Sequence, residues 1–119
     1  MRIALQSLFL LVFTSAAWAQ ATQYLVTLPD LPLMAGMERV KDSGVVFDKA
    51  EGRIIEESVL ARHLTPQQIR DFYSKTLPAL GWKQAGEQRF LRNGEQLVVT
   101  LDKVQDGGLV KFAVSPIEP

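Results

Sequence analysis

The sequence predicts an α+β domain: an antiparallel sheet of about five strands in the order β-β-α-β-β-β, one helix packed on one face, and an extended proline-containing N-terminal arm. Three observations carry this. A single segment of helical period, Thr65 to Leu80, interrupts a series of segments with strand-like alternation. Turn signals separate those segments, at Gly52, at Asn93-Gly94 and at Asp106-Gly107-Gly108. Pro29 and Pro32 remove backbone donors, which bars their stretch from central strand or ordinary helix.

The chain opens with Met1-Arg2, an apolar run from Ile3 to Phe13 broken by Gln6 and Ser7, and small residues at Ala17 and Ala19. A basic start, a short apolar middle and an A-x-A ending form a signal peptide, with cleavage expected between Ala19 and Gln20. The apolar run is about 11 residues, where a bilayer needs about 20, so an exported protein without a stable membrane anchor is expected, periplasmic or secreted. The expected organisation is a cleaved leader over 1–19, the arm over 20–44 and one domain over 45–119.

There is no cysteine. A lipid-bearing cysteine, a disulfide and thiolate chemistry are thereby excluded, and a small exported domain without disulfides must rely on its core. Losing the leader removes one of 13 basic residues and leaves 12 against 13 acidic. So balanced a charge favours neither nucleic acid nor an anionic membrane surface.

Taken in order, the arm carries Leu31, Leu33, Met34 and Met37. Five strands about 4.8 Å apart make a sheet about 24 Å wide, of which one helix covers about 10 Å. These four residues are therefore the expected remaining cover, or a binding surface, unless a second subunit supplies it. Val45 to Asp48 and Arg53 to His63 then form a hairpin, with Gly52 giving the positive φ that a short loop needs. At the helix, Thr65 is the expected N-cap, Pro66 the first helical residue, and Gln68 the partner in a capping box. Ile69, Phe72, Tyr73, Leu77 and Leu80 trace its buried face. Pro78 bends the last turn, Gly81 ends the helix in left-handed conformation, and Trp82 packs back on Leu77. Beyond it, strand-like stretches at 82–86 and 89–93 lead through Asn93-Gly94 into 95–104 and 109–115. Leu97, Val99 and Leu101 share one face, as do Val110, Phe112 and Val114.

Candidate chemistry is sparse. His63, the single histidine, reads as a surface or capping residue, because a general base needs a positioned partner. Ser43, Ser58 and Ser74 lack any nucleophile-elbow context. Glu56 and Glu57 are strand neighbours, so they point to opposite faces and cannot share a site; both read as solvated edge residues. Met34 and Met37, with Tyr24 or His63, could offer soft ligands to copper, but methionines in an apolar arm read as core filler. Gly86, Gly94, Gly107 and Gly108 lie in hairpin turns, so no phosphate loop and no nucleotide cofactor is expected. Arg89, Phe90 and Arg92 read as a strand with Phe90 inward and the arginines outward. No catalytic residue, cofactor or metal site is expected.

These motifs carry a resemblance. Phe72-Tyr73, Leu77-Pro78 and Leu80-Gly81-Trp82, preceded by Thr65-Pro66 and by VVFDKAEGRI at 45–54, are similar to a group of small exported bacterial proteins of unassigned function. In that group an FY-x3-LP-x-LGW helix end follows a VFDKxEGRI hairpin. An aromatic-x-R-x-G-E turn comes next, matched here by Phe90, Arg92, Gly94 and Glu95, and the arm matches at Leu31-Pro32-Leu33-Met34 and Gly36. The similarity runs from about Leu31 to Val114, and it brings no catalytic residues.

Three functions follow as expectations. The first is a non-catalytic envelope module that binds a protein or peptide through a sheet edge or through the outer face at Gln96, Val98, Thr100, Lys111 and Ala113. The second is a carrier of a small apolar ligand between helix and sheet, gated by the arm. The last is a hydrolase using Glu57 or His63. A homodimer is compatible with each.

Overall fold

A computed structural model of the protein describes residues 22–104 and 107–117. The expected leader, its cleavage site at Ala19 and Gln20, and Asp106 of the last turn lie outside the described residues. Among the described residues eight elements follow in order: β1 (Glu38–Arg39), β2 (Val45–Lys49), β3 (Gly52–Ala61), α1 (Pro66–Ala79), β4 (Lys83–Gln84), β5 (Arg89–Arg92), β6 (Glu95–Val104) and β7 (Gly107–Pro116). They form one helix and a single open antiparallel sheet of seven strands, the expected α+β class, with β1 and β4 only two residues long.

The sheet runs β1-β3-β7-β6-β5-β4, and β2 lies beside β3 on the same edge as β1. The helix connection carries the chain across the sheet after β3, and the meander β4 to β7 returns, leaving β7 against β3. Each two-residue loop fixes its register by local chemistry. Asn93 and Gly94 take φ values of 49° and 77°, the paired positive angles of a type I′ turn, and Arg92 pairs with Glu95. Gly52, at φ 140°, closes β2 on β3 opposite Lys49.

Period two then sorts the side chains. Ile55, Val59 and Ala61 of β3, Leu97 and Val99 of β6, and Val110, Phe112 and Val114 of β7 are buried on one face, the inner face. Onto it packs α1 through Ile69, Tyr73 and Leu77. Its start is the expected capping box: Gln68 N donates to Thr65 Oγ1 at 3.1 Å, and Thr65 N to Gln68 Oε1 at 2.9 Å. At its end Trp82 N donates to Leu77 O (3.0 Å) and Gly81 N to Pro78 O (3.1 Å), with Gly81 at φ 91°. That pair of bonds is a Schellman motif, and it turns the chain so that Trp82 drops into the core at 1% exposure.

The arm supplies the rest of the cover. Leu25, Leu28, Leu31, Leu33 and Met37 are buried with the inner face, and Met34 packs against them half-buried. Its described residues hold no helix, and they double back: Leu25 N donates to Leu31 O, Leu31 N to Leu28 O and Leu33 N to Gln23 O, so the turn between carries Pro29. Between β1 and β2 the edge of β3 is patched by a side chain. Ser43 Oγ donates to Ser58 O (3.1 Å) and accepts from Ser58 N (3.3 Å).

Candidate functional site

The aromatic stretch that looks most like a site is spent on packing. Tyr73 is 2% exposed, donates from its hydroxyl to Pro32 O at 3.0 Å, and meets Phe72 and Phe112 edge-on, with centroids at 4.9 and 5.2 Å. Burial pushes its phenol ionisation above the ordinary value of 10.0. Arg92 Cζ lies 4.2 Å from the Trp82 ring centroid, a cation–π contact. The same guanidinium donates from Nη1 to Asp30 Oδ2 (2.8 Å) and to Leu80 O (3.1 Å), joining arm, helix end and β5. The outward placement expected for Arg92 is thus corrected. It stands two residues after Phe90, so period two puts both on the inner face, while Arg89 alone points outward.

Glu57 corrects a second expectation. It sits on β3, which has neighbours on both sides, and at 3% exposure it is the buried charged residue among the described residues. Glu56 does point the opposite way, half-buried on the outer face with Lys111 Nζ at 3.4 Å. The Glu57 carboxylate accepts from Val26 N (3.1 Å), Thr27 N (2.8 Å) and Thr27 Oγ1 (2.7 Å). Three donors satisfy what would otherwise be a costly buried charge, and they fix the arm to the sheet. Gly44 lies over this clasp: a Cβ there would stand 2.7 Å from Thr27 Cγ2.

The other expected residues do not converge. His63 is exposed in the turn before α1, and Ser74 Oγ donates to Asp71 O within the helix. Met37 Sδ lies 3.5 Å from the Tyr73 hydroxyl, inside the core, while Tyr24 bridges to Pro32 at the surface. Among the described residues no group of three His, Cys, Asp or Glu is placed to hold a metal. Between α1 and the sheet, beside Tyr73 and Phe90, the free space is about 10 Å³, at most one water. A larger, open cleft of about 410 Å³ lies between the first turn of α1 and the β6–β7 hairpin, floored by Leu64, Ile69, Leu101 and Val110.

What the chain leaves unused is β2. All five of its residues are exposed, with Val45 at 38%, Val46 at 53% and Phe47 at 58%. Lys49 and Gly52 close a two-residue loop and so exchange both backbone bonds, which makes 45, 47 and 49 the residues bonded to β3. Val46 and Asp48 then aim their N–H and C=O groups away from the sheet. The result is an edge strand with open donors and acceptors and three exposed apolar residues, blunted by charge only at Asp48 and Lys49. The segment VVFD is legible in the sequence as a strand; that neither helix nor arm reaches it is not.

Comparison of the chain with protein-family models, with curated proteins and with solved structures gives no match.

Proposed function

We propose that the protein is an exported, non-catalytic interaction module that accepts a strand from a protein or peptide partner along the open edge of β2. The observation that carries this reading is the conjunction at β2 of exposed Val45, Val46 and Phe47 with backbone groups of Val46 and Asp48 that face outward. Main-chain bonds supply affinity in such pairing, and alternate side chains supply selectivity. The absence of catalysis is supported by Glu57, whose oxygens are engaged by three donors of the arm. Export is supported by the leader-like residues 1–19 and by the resemblance to small exported proteins.

A photo-activatable residue at position 47, in cells exporting the full chain, is expected to trap one specific product. Val46→Pro removes an outward N–H without touching a bond to β3, so it should abolish that product and leave the fold intact. Trapping that is diffuse, or unchanged by Val46→Pro, would refute the proposal.

The open cleft over Leu64, Ile69, Leu101 and Val110 favours a second reading, a carrier of a small apolar molecule. Native mass spectrometry of protein taken from cells would show a bound species that Leu101→Arg removes; bare protein in both forms would exclude it.

A further inference from the structure

We infer that the strand accepted by β2 is β2 of a second copy, paired antiparallel about a two-fold axis at Phe47; this rests on the edge-acceptor reading above and names its occupant. Pairing must bond outward-facing residues to outward-facing residues, so the axis can fall at Val46, Phe47 or Asp48. An axis at Asp48 sets that carboxylate against itself, a destabilising like-charge pair. Centring on Val46 leaves Lys49 opposite Ser43, beyond the strand, where the Ser43 hydroxyl already bonds Ser58. Phe47 is the midpoint of Val45–Lys49, and only this axis overlaps all five residues.

With Phe47 on the axis, Val46 pairs with Asp48 of the second copy and Asp48 with Val46, giving four backbone hydrogen bonds. Lys49 lies across from Val45, so neither charged residue meets its own copy. Phe47 stands directly opposite Ile54 within its hairpin, on the outer face. Pairing therefore lines up Ile54, Phe47, Phe47 and Ile54 as one apolar row across four strands, covering the most exposed aromatic ring among the described residues. Asp48 has Arg53 opposite it in its own hairpin on the inner face, where that guanidinium is itself held by Glu95 at 2.8 and 3.0 Å. The symmetry is isologous and closes, yielding a dimer with one continuous sheet instead of a fibre.

The chain's lack of cysteine makes the test clean. Phe47→Cys, in the full chain purified after export, places two thiols in a non-hydrogen-bonded pair with Cα atoms about 4.5 Å apart, inside the range a disulfide spans. Oxidation is expected to give predominantly covalent dimer. Mixing Val45→Cys with Lys49→Cys should give the mixed dimer, while each alone stays mostly uncrosslinked. In sedimentation velocity the unmodified protein should show a concentration-dependent dimer, and Val46→Pro a monomer at every concentration. The inference is overturned if the protein is monomeric throughout and Phe47→Cys dimerises no more than Gln67→Cys on the exposed helix surface. In that case, a trapped product at position 47 that Val46→Pro removes leaves the edge reading standing with another partner. If Val46→Pro alters neither trapping nor sedimentation, both fall.

Discussion

Strands β2 and β7 are written in the same residue types and treated in opposite ways. Val110, Phe112 and Val114 of β7 are at most 1% exposed, whereas Val45, Val46 and Phe47 of β2 lie between 38% and 58%. The difference is position. β7 has β3 and β6 on its flanks and α1 above it, whereas among the described residues β2 has one neighbour and no cover. Apolar β-branched residues and phenylalanine therefore specify strand in both places, but burial is decided by how far the helix and the arm reach. On the proposed reading, the apolar surface that β2 keeps after that cover is complete is where a partner strand sits.

The contrast between β2 and β7 is lost most completely if the covered side is less tightly filled than its burial implies. Trp82→Ala should destabilise by about 3–5 kcal/mol, the usual cost of truncating a buried aromatic, read from the denaturant midpoint. The indole is 1% exposed just past the helix end, with the Arg92 guanidinium 4.2 Å from its ring centroid. A loss below about 1 kcal/mol would mean that the corner is not a packed core.

Next in size is Glu57→Ala, which takes the charged acceptor from the part-buried N–H groups of Val26 and Thr27, at about 1.5–3 kcal/mol. Glu57→Gln keeps one acceptor oxygen and should cost less. Amide exchange at residues 26 and 27 should accelerate in Glu57→Ala more than exchange in β6 or β7. Uniform acceleration would show that the clasp is part of the core and not a local fastening of the arm.

These two residues also show what was legible. Trp82 follows from local rules: Gly81 must terminate the helix, and the Schellman geometry throws residue 82 inward. Glu57 does not, because its partners stand 30 and 31 positions earlier, and nothing in their spacing reveals the contact. Prolines 29 and 32 said what the arm could not be, without saying that it doubles back to place Thr27 beside Glu57. Arg92 was legible, since period two ties it to Phe90, and its basic side chain argued the wrong way. The outward face of β2 was half legible: strand and hairpin are in the sequence, but the edge is set by β7 arriving on the other side of β3.

Tyr73→Phe removes one atom from the covered side. It loses the bond to Pro32 O, worth about 1 kcal/mol. It also carries a pH signature. Because burial raises the phenol pKa in the folded state, the folded chain keeps a proton that the unfolded chain releases near pH 10. Tyr73 thus contributes its full stability below about pH 10, and above it stability falls by up to about 1.4 kcal/mol per pH unit. Denaturant titrations from pH 8 to 11 should show a difference between the two proteins that shrinks as pH rises. A constant difference would place the hydroxyl in water.

The smallest expected effect lies on the uncovered side. Phe47→Ser alters a ring that is 58% exposed, bonded through its backbone to Ile54 on β3, and the stability of the isolated chain should change by less than about 0.5 kcal/mol. Serine keeps the backbone donor and acceptor, so the hairpin register survives. It withdraws apolar area on the outer face while leaving the outward groups of Val46 and Asp48 in place. Measured against Val46→Pro in sedimentation velocity, it therefore separates the two contributions at this edge: loss of the dimer with Val46→Pro alone means that backbone pairing dominates, and loss with both means that the ring is required. If Phe47→Ser instead destabilises the monomer by as much as 2 kcal/mol, the ring is packed within its own chain, and the contrast between β2 and β7 that supports an external partner disappears.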